Sequence, residues 1–492
     1  MAPIRLALVG LSSTSPSWLS NAHLPYLLSS RGKDKFQIVA LQNSSVEAAR
    51  KAIDSYKLDP ETVKAYGSPE ELAKDDNVEL VVVGTRVDVH YSNLKPLLEV
   101  WKDTSIGKKR GVYSEWPLAS NLQQIEELIQ LAKETRVKTV VGTQGFASPV
   151  VKKVEELLKS GKIGKVLSSE VRLSGLTEER DAVAEKIEYF TRREVGGNLW
   201  SIGGGHIIDL LQFTLGDLPP STIKSHFQIQ HPLVPITNST GAVTKTAQSN
   251  VPDLLYLTGS LPSSSFVQAN ASLSLRMRRG PPFPGEPAFV WTITGEKGEI
   301  RVTSTESVTI FLGLGEVKVE VHDYGSNEVE EVEWRWEGWQ EELKLPGPAR
   351  NVGSVYEGVY EDWVNDGRGK EGVVFSRHIQ SVTLDPVEVS YPKNTRGDWK
   401  DNVPIENKHL STPIWDAFGP IGISVVRHMH RTQGRRRHHH HHHYLEERGA
   451  IRKWDMEGKE RKRNEYSPLP KMSNHHLHPR ELIKHPARTN GI

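Results

Sequence analysis

The first chemistry the chain offers is a glycine at the end of an apolar run, followed by small hydroxylated residues: Gly10-Leu11-Ser12-Ser13-Thr14-Ser15-Pro16. Ile4 to Gly10 reads as a strand buried on both faces, and Asn21 to Leu28 as the start of a helix. A turn between such elements points backbone N–H groups and the positive end of a helix dipole at whatever lies above it, which suits a pyrophosphate. Gly10, Leu11, Ser12 and Ser13 are therefore candidates for holding a nucleotide. The dinucleotide fingerprint asks for G-x-G-x-x-G, and only the first glycine stands here, with serines where the others belong. A strand that merely closes on Val-Gly fits the same residues.

Further candidates stand where later apolar runs end: Asn43, Thr85-Arg86, Glu115-Trp116-Pro117 and Gln144. Asn43 occupies the place where a dinucleotide fold often has an acidic residue for the adenosine ribose. A neutral side chain neither repels a 2′-phosphate nor binds two hydroxyls strongly, so NAD and NADP both stay open. Strand ends are exposed, which accounts for some of this polarity, but its concentration on one edge is what a ligand site on such a fold predicts.

These residues need a scaffold that brings strand ends together. Strand-like runs at Phe36–Leu41, Val63–Tyr66, Val78–Gly84, Gly111–Ser114 and Lys138–Gly142 alternate with helical stretches at 45–56, 68–74, 90–101 and 121–134. Strands joined by such helices give right-handed crossovers and a parallel sheet. The reading is a doubly wound α/β domain of the Rossmann type over residues 1–145, its ligand beyond the carboxyl ends of the strands. From Lys165 the texture changes to alternating segments: 166–173, 222–229, 254–261, 266–276, 289–293, 299–303, 308–312 and 317–322. That period of two predicts an α+β domain over residues 146–385, built on a large, mainly antiparallel sheet. One helix, Gly205 to Leu215, interrupts it. Residues 386–492 lack apolar periodicity and read as a disordered tail. Within the tail, His438–His443 read as low complexity, with no metal site built on them, and Arg427–Arg437 as a solvated basic run.

Composition narrows the function classes. Sixty-two basic residues against 61 acidic ones argue against direct nucleic-acid binding or a general membrane surface. The chain has no cysteine, which excludes disulfides, thiolate metal ligands and a cysteine nucleophile. Neither a secretory signal nor a run of roughly 20 apolar residues is visible. The expectation is an intracellular protein, cytoplasmic or nuclear.

Taken together, Ala7-Leu8-Val9-Gly10 with His23-Leu24-Pro25, Val87-Asp88-Val89-His90-Tyr91, Ser114-Glu115-Trp116-Pro117-Leu118-Ala119, and Gly142-Thr143-Gln144-Gly145 with Pro149 resemble the Gfo/Idh/MocA oxidoreductases. Leu158 to Gly164 is similar to that family's entry into its second domain, and Thr294 to Ile300 to its glycine-bounded hairpin. The resemblance covers roughly residues 4–380, and order and spacing carry it. Within the family the chain is most similar to a fungal subgroup of the galactose-regulon-repressor type. The shared features are a Val-Gly-Leu turn, a downstream tryptophan (Trp18 here) and Glu-Trp in place of Glu-Lys.

The resemblance implies NAD or NADP as cofactor and hydride transfer at a carbinol carbon of a sugar-like substrate. It also implies a second possibility, a catalytically silent dinucleotide-binding regulator acting through a protein partner. A homodimer through the exposed face of the long sheet belongs to the same implication. Family enzymes move the proton with a lysine, an aspartate and a histidine. Here the lysine position is Trp116, the aspartate position is Ser201, and His206 remains, five residues after Ser201 where four is usual. His206, with an ordinary pKa of about 6.5, is the candidate acid/base; a hydrogen-bonded core histidine is the plain alternative. Asp209, one turn on, orients His206 or caps the helix. Trp116 suits stacking on nicotinamide or sugar better than proton transfer. Trp18, His90, Glu115 and Gln144 complete the expected cofactor contacts with Asn43, Thr85 and Arg86.

Overall fold

The computed structural model describes residues 2–102, 110–175, 179–366, 378–381, 389–390 and 423–426. The basic run and the six histidines between 427 and 443 lie outside them. Of the segment from 386 onward, 389–390 and 423–426 are described, both as strand. The two main sheets belong to one compact unit, residues 1–431.

Six short apolar runs form the first sheet: β1 (Ile4–Val9), β2 (Phe36–Gln42), β3 (Lys64–Tyr66), β4 (Leu80–Val83), β5 (Gly111–Glu115) and β6 (Lys138–Gly142). Every neighbouring pair is parallel, in the order β3-β2-β1-β4-β5-β6. Leu80 to Val83 are all buried, because helices cover both faces. The helices are α1 (Leu24–Leu27), α2 (Ser30–Lys33), α3 (Val46–Ser55), α4 (Pro69–Ala73), α5 (His90–Lys102) and α6 (Leu122–Thr135). Side-chain caps mark where α3, α4 and α6 begin: Ser45, Ser68 and Asn121 each accept a backbone N–H of the first turn. The helix expected from Asn21 starts earlier, as a π-helical turn over Leu19–His23 that leads into α1. Ser17 and Ser20 cap each other just before it.

After α7 (Pro149–Lys159) the chain enters the second sheet with β7 (Val166–Gly175). There follow β8 (Val183–Ala184), a π-helical turn at Leu199–Gly204 and α8 (Gly205–Leu215). Next come β9 (Lys224–Gln228), β10 (Leu233–Thr237), β11 (Val243–Gln248), β12 (Leu254–Ser260), β13 (Val267–Arg279), β14 (Phe289–Gly295), β15 (Gly298–Ser304), β16 (Val317–Asp323) and β17 (Glu328–Glu331). With β18 (His378–Ser381), β19 (Val389–Ser390) and β20 (Ile423–Val426) the strands are complete for the described residues. The nine-stranded sheet runs β17-β16-β15-β14-β7-β13-β12-β9-β19, while β11-β10-β8 and β18-β20 form two small ones. From Ala271 onward β13 alternates strictly: Leu273, Leu275 and Met277 are buried in the core beneath α7 and α8, and Arg276 and Arg278 face the other way.

Several features depart from the sequence reading, which did not include α7 or the strands β8, β10, β11 and β17. Val308–Leu312, expected as a strand, is a turn that buries Ile310 and Phe311. The helices α9 (Gly338–Glu342) and α10 (Gly347–Asp366) were not foreseen. α10 returns to the first sheet, where Val352, Val355, Tyr356 and Val359 join Leu6, Leu8, Tyr26 and Tyr113 in one core. Its docking is fixed by Glu357, which takes hydrogen bonds from Tyr26, Arg31 and Lys35.

Candidate functional site

Gly10 ends β1 next to the end of β4, where the strand order of the first sheet reverses, and this is where open α/β sheets bind ligands. Its φ of +96° lies in the region open to glycine, and a Cβ there would overlap the Thr85 methyl and lie 3.2 Å from Thr85 Cα. The glycine is thus required twice over. Ser12 closes the turn locally: its Oγ accepts from the backbone N–H groups of Thr14 and Ser15, and its carbonyl accepts from the Tyr56 hydroxyl at 2.8 Å. Asn43 donates to the Leu11 carbonyl at 3.0 Å, so it braces the turn from the side.

His90, at the start of α5, faces the carbonyl oxygens of Thr85 and Pro117, each at 2.8 Å. It therefore joins the loop after β4 to the loop after β5. Burial lowers its pKa, against the pull of the two carbonyls. Arg86 forms a two-pronged pair with Asp88 and lies 5.4 Å over the Tyr189 ring, which ties the first domain's edge to the second.

At the end of β5 a buried carboxylate is built into the interior. Glu115 Oε1 meets His23 Nε2 at 2.9 Å, and His23 Nδ1 meets the Tyr356 hydroxyl at 2.9 Å. Gly142 makes the space, since a Cβ there would come within 2.6 Å of the Glu115 carboxylate. His23 and Tyr356 were missed as members of this site. His23-Leu24-Pro25 was visible as a motif, whereas Tyr356, on a helix the pattern did not reveal, gave no signal.

Beside Glu115, the Trp116 indole N–H donates to the Ser201 carbonyl at 2.6 Å. Ser201 sits in the π-helical turn that opens α8, where i→i+5 bonding accommodates one extra residue. That turn explains the five-residue spacing from Ser201 to His206. Asn198 caps it through the N–H groups of Trp200 and Ser201, and the Ser201 hydroxyl answers by accepting from the Asn198 N–H. Gly205 completes the fit, because a Cβ there would overlap the indole, 2.8 Å from its Cε2.

His206 keeps 9% of its surface exposed, and its ring packs 5.2 Å from Phe311, the residue buried by the unexpected turn. Nδ1 is buried without a hydrogen-bond partner among the described residues. Burial pushes the pKa down to about 4, with the Glu115 charge acting the other way. Asp209 is buried on the next turn of α8. Gln144 lies in the turn after β6, whose Gly145 approaches Leu210 of α8, and its Oε1 is also buried and unpartnered.

The candidates thus fall into a line along the sheet edge: Asn43 with the Leu11–Ser12 turn, then Gly10, Thr85 and His90, then Glu115, Trp116 and His206. Trp18 Nε1, Thr85 Oγ1, Thr143 Oγ1 and Gln144 Oε1 are buried along it with no partner among the described residues. Buried polar groups are normally paired, so a row of orphans beside a glycine cradle fits a bound dinucleotide. Among the described residues no group of three or more metal-ligating side chains occurs, and no helix is long and apolar enough to cross a membrane.

Comparison with known proteins agrees with this architecture. Residues 4–143 match the family described as "Oxidoreductase family, NAD-binding Rossmann fold", and residues 149–304 match "Gal80p, C-terminal domain". The chain is 32% identical to Dehydrogenase aclE of Aspergillus oryzae over 331 residues, 66% of this chain and 83% of that protein. It is 29% identical to the galactose/lactose metabolism regulatory protein GAL80 of Kluyveromyces lactis over 61% of this chain and 64% of that protein. Among solved structures, a super-repressor mutant of Gal80p from Saccharomyces cerevisiae aligns with a TM-score of 0.65 at 23% identity. That alignment covers 76% of this chain and 90% of the other, a likeness of fold.

Proposed function

The chain belongs to the Gfo/Idh/MocA oxidoreductase family, and from that premise we propose that it is an NAD(P)-dependent oxidoreductase acting on a sugar-like or other small hydroxyl or carbonyl compound. The observation that carries this reading is His206: a buried imidazole with an unpartnered Nδ1, within the field of the Glu115 carboxylate and next in sequence to Gly205, on which the Trp116 indole packs. Gly10 to Ser13 would hold the pyrophosphate of the dinucleotide, and Trp18, Thr85, Gln144 and the Trp116 ring its nicotinamide end. The dinucleotide, when bound, supplies the hydride chemistry.

The protein's own part is proton movement and orientation. With a pKa of about 4, His206 is neutral at physiological pH, so its imidazole would be free to take a proton from a substrate hydroxyl. Trp116 offers a flat apolar face and no proton, since its N–H is committed to Ser201. The Gln144 carbonyl oxygen, also unpartnered, would accept a hydrogen bond from nicotinamide or substrate.

A second reading, a dinucleotide-binding regulator without turnover that works through a protein partner, is favoured by the Trp116–Ser201 bond. Of two positions that are titratable in family enzymes, one here spends its indole N–H on the Ser201 backbone carbonyl, and the other spends its hydroxyl on the Asn198 backbone. Titration with NAD(H) and NADP(H), followed by assay against a panel of sugars and polyols, separates the readings: both require binding, and only the first allows turnover.

A further inference from the structure

The open face of the second sheet carries a cavity of about 650 Å³ whose walls include Arg172, Arg180, Arg276, Arg278 and Arg279. Arg172 of β7 and Arg276 of β13 are register partners on neighbouring parallel strands. Like charges placed opposite each other across a sheet destabilise it. The compensation is incomplete. Glu286 pairs with Arg172 at 2.8 Å, Asp253 lies 3.6 Å from Arg279, and Asp181 is the other carboxylate acting on Arg279. Among the described residues, Arg180, Arg276 and Arg278 make no ion pair.

The cationic groups are also held in place. The Arg278 guanidinium donates to the carbonyls of Arg279, Gly280 and Pro281, neutral partners that fix the fork and leave its charge uncancelled. Burial, and then the charges of Arg180 and Arg276, lower its pKa. Arg279 is nine-tenths buried, its Nε donates to the Arg180 carbonyl at 2.9 Å, and its Nη2 has no hydrogen-bond partner. Gly280, at φ +80°, lets the Arg180 backbone come close: a Cβ there would lie 2.5 Å from Arg180 Cα. Folding therefore concentrates guanidinium groups around a hollow, at a cost in stability, and anchors them there.

We propose that this cavity is a binding site for a small polyanion, a ligand carrying two or more phosphoryl groups, separate from the dinucleotide site on the first sheet. A single carboxylate cannot offset three unpaired cations, whereas a diphosphate carries enough charge in one compact group and matches the guanidinium fork two bonds at a time. The volume is that of a small-molecule site. Phe283, 69% exposed at the rim, offers an apolar surface for the carbon skeleton of such a ligand.

The test is calorimetric titration of the full-length protein with inorganic pyrophosphate, on wild type, Arg276→Ser and Arg180→Ala. Saturable binding that weakens at least tenfold in both variants, and with rising salt, is expected. Arg276→Ser should also raise the thermal midpoint of the unliganded protein, because it removes a repulsion, and abolish the rise that pyrophosphate gives wild type. Arg180 is exposed, so its variant folds even if the other does not. Absence of binding overturns the proposal, as does binding undiminished in both variants, which would place pyrophosphate at the Gly10 turn. Variants that lose only self-association in sedimentation, with pyrophosphate affinity intact, also overturn it and assign the arginines to a contact between copies.

Discussion

The Trp116 indole N–H donates to the Ser201 carbonyl across 2.6 Å, joining a loop of the first domain to the π-helical entry of α8 in the second. Gly205 has no side chain where that indole lies. Gly205→Ala is therefore expected to cost about 1–3 kcal/mol through overpacking. In a Trp116→Ala background the same change should cost nothing or stabilise slightly. A double-mutant cycle by urea denaturation reads this coupling, and equal costs in both backgrounds would contradict the packing described.

His206 gives a pH dependence with a definite sign. Its folded-state pKa of about 4 lies below the ordinary value of about 6.5, so between those limits the unfolded chain binds a proton that the folded one does not. The contribution is fully present above about pH 6.5 and is lost as pH falls toward 4, to a total of about 3 kcal/mol. In His206→Gln that part of the acid slope should vanish. Denaturant titrations from pH 4 to 8 check it.

How much of this was legible in the sequence differs from residue to residue. The first sheet was, because strands covered on both faces must be apolar throughout, and Val81-Val82-Val83 can hardly be read otherwise. Gly10 was legible as a strand end, but the reason it must be glycine, the Thr85 methyl, comes from the loop after β4, far along the chain. The five-residue step from Ser201 to His206 was visible as an anomaly, and only backbone geometry shows it to be a π turn. α10 was hidden because glycines and polar residues interrupt its apolar face, which is completed by aromatic contacts such as the stacked pair Tyr26–Tyr356. Val308–Leu312 has the alternation of a strand, yet it caps His206 as a turn, since period-two patterning also arises when alternate residues of a loop are buried.

Gly10→Ala should abolish dinucleotide binding, because it forces an L side chain into φ +96° and against Thr85. Adding Thr85→Ser, which removes the overlapped methyl, should recover part of the stability and little of the affinity, as the backbone strain remains. Fluorescence titration with NADH and NADPH, alongside unfolding curves, distinguishes the two losses.

The Glu115–His23–Tyr356 chain predicts graded costs. Tyr356→Phe removes one hydrogen bond and should cost about 1 kcal/mol. His23→Ala leaves the buried Glu115 carboxylate without its partner and should cost about 3–5 kcal/mol. Equal effects of the two would mean that Glu115 is held by something other than His23.

Turnover of purified wild type and His206→Ala decides whether a dinucleotide lies along the Gly10–Trp116 edge with His206 as proton carrier. The assay follows nicotinamide absorbance with NADH and NADPH against sugars, polyols and their carbonyl counterparts. Saturable turnover by wild type and a fall of about 10²-fold or more in His206→Ala, with cofactor affinity unchanged, are expected. Turnover that continues undiminished without His206, or a wild type that binds neither dinucleotide, would contradict that assignment.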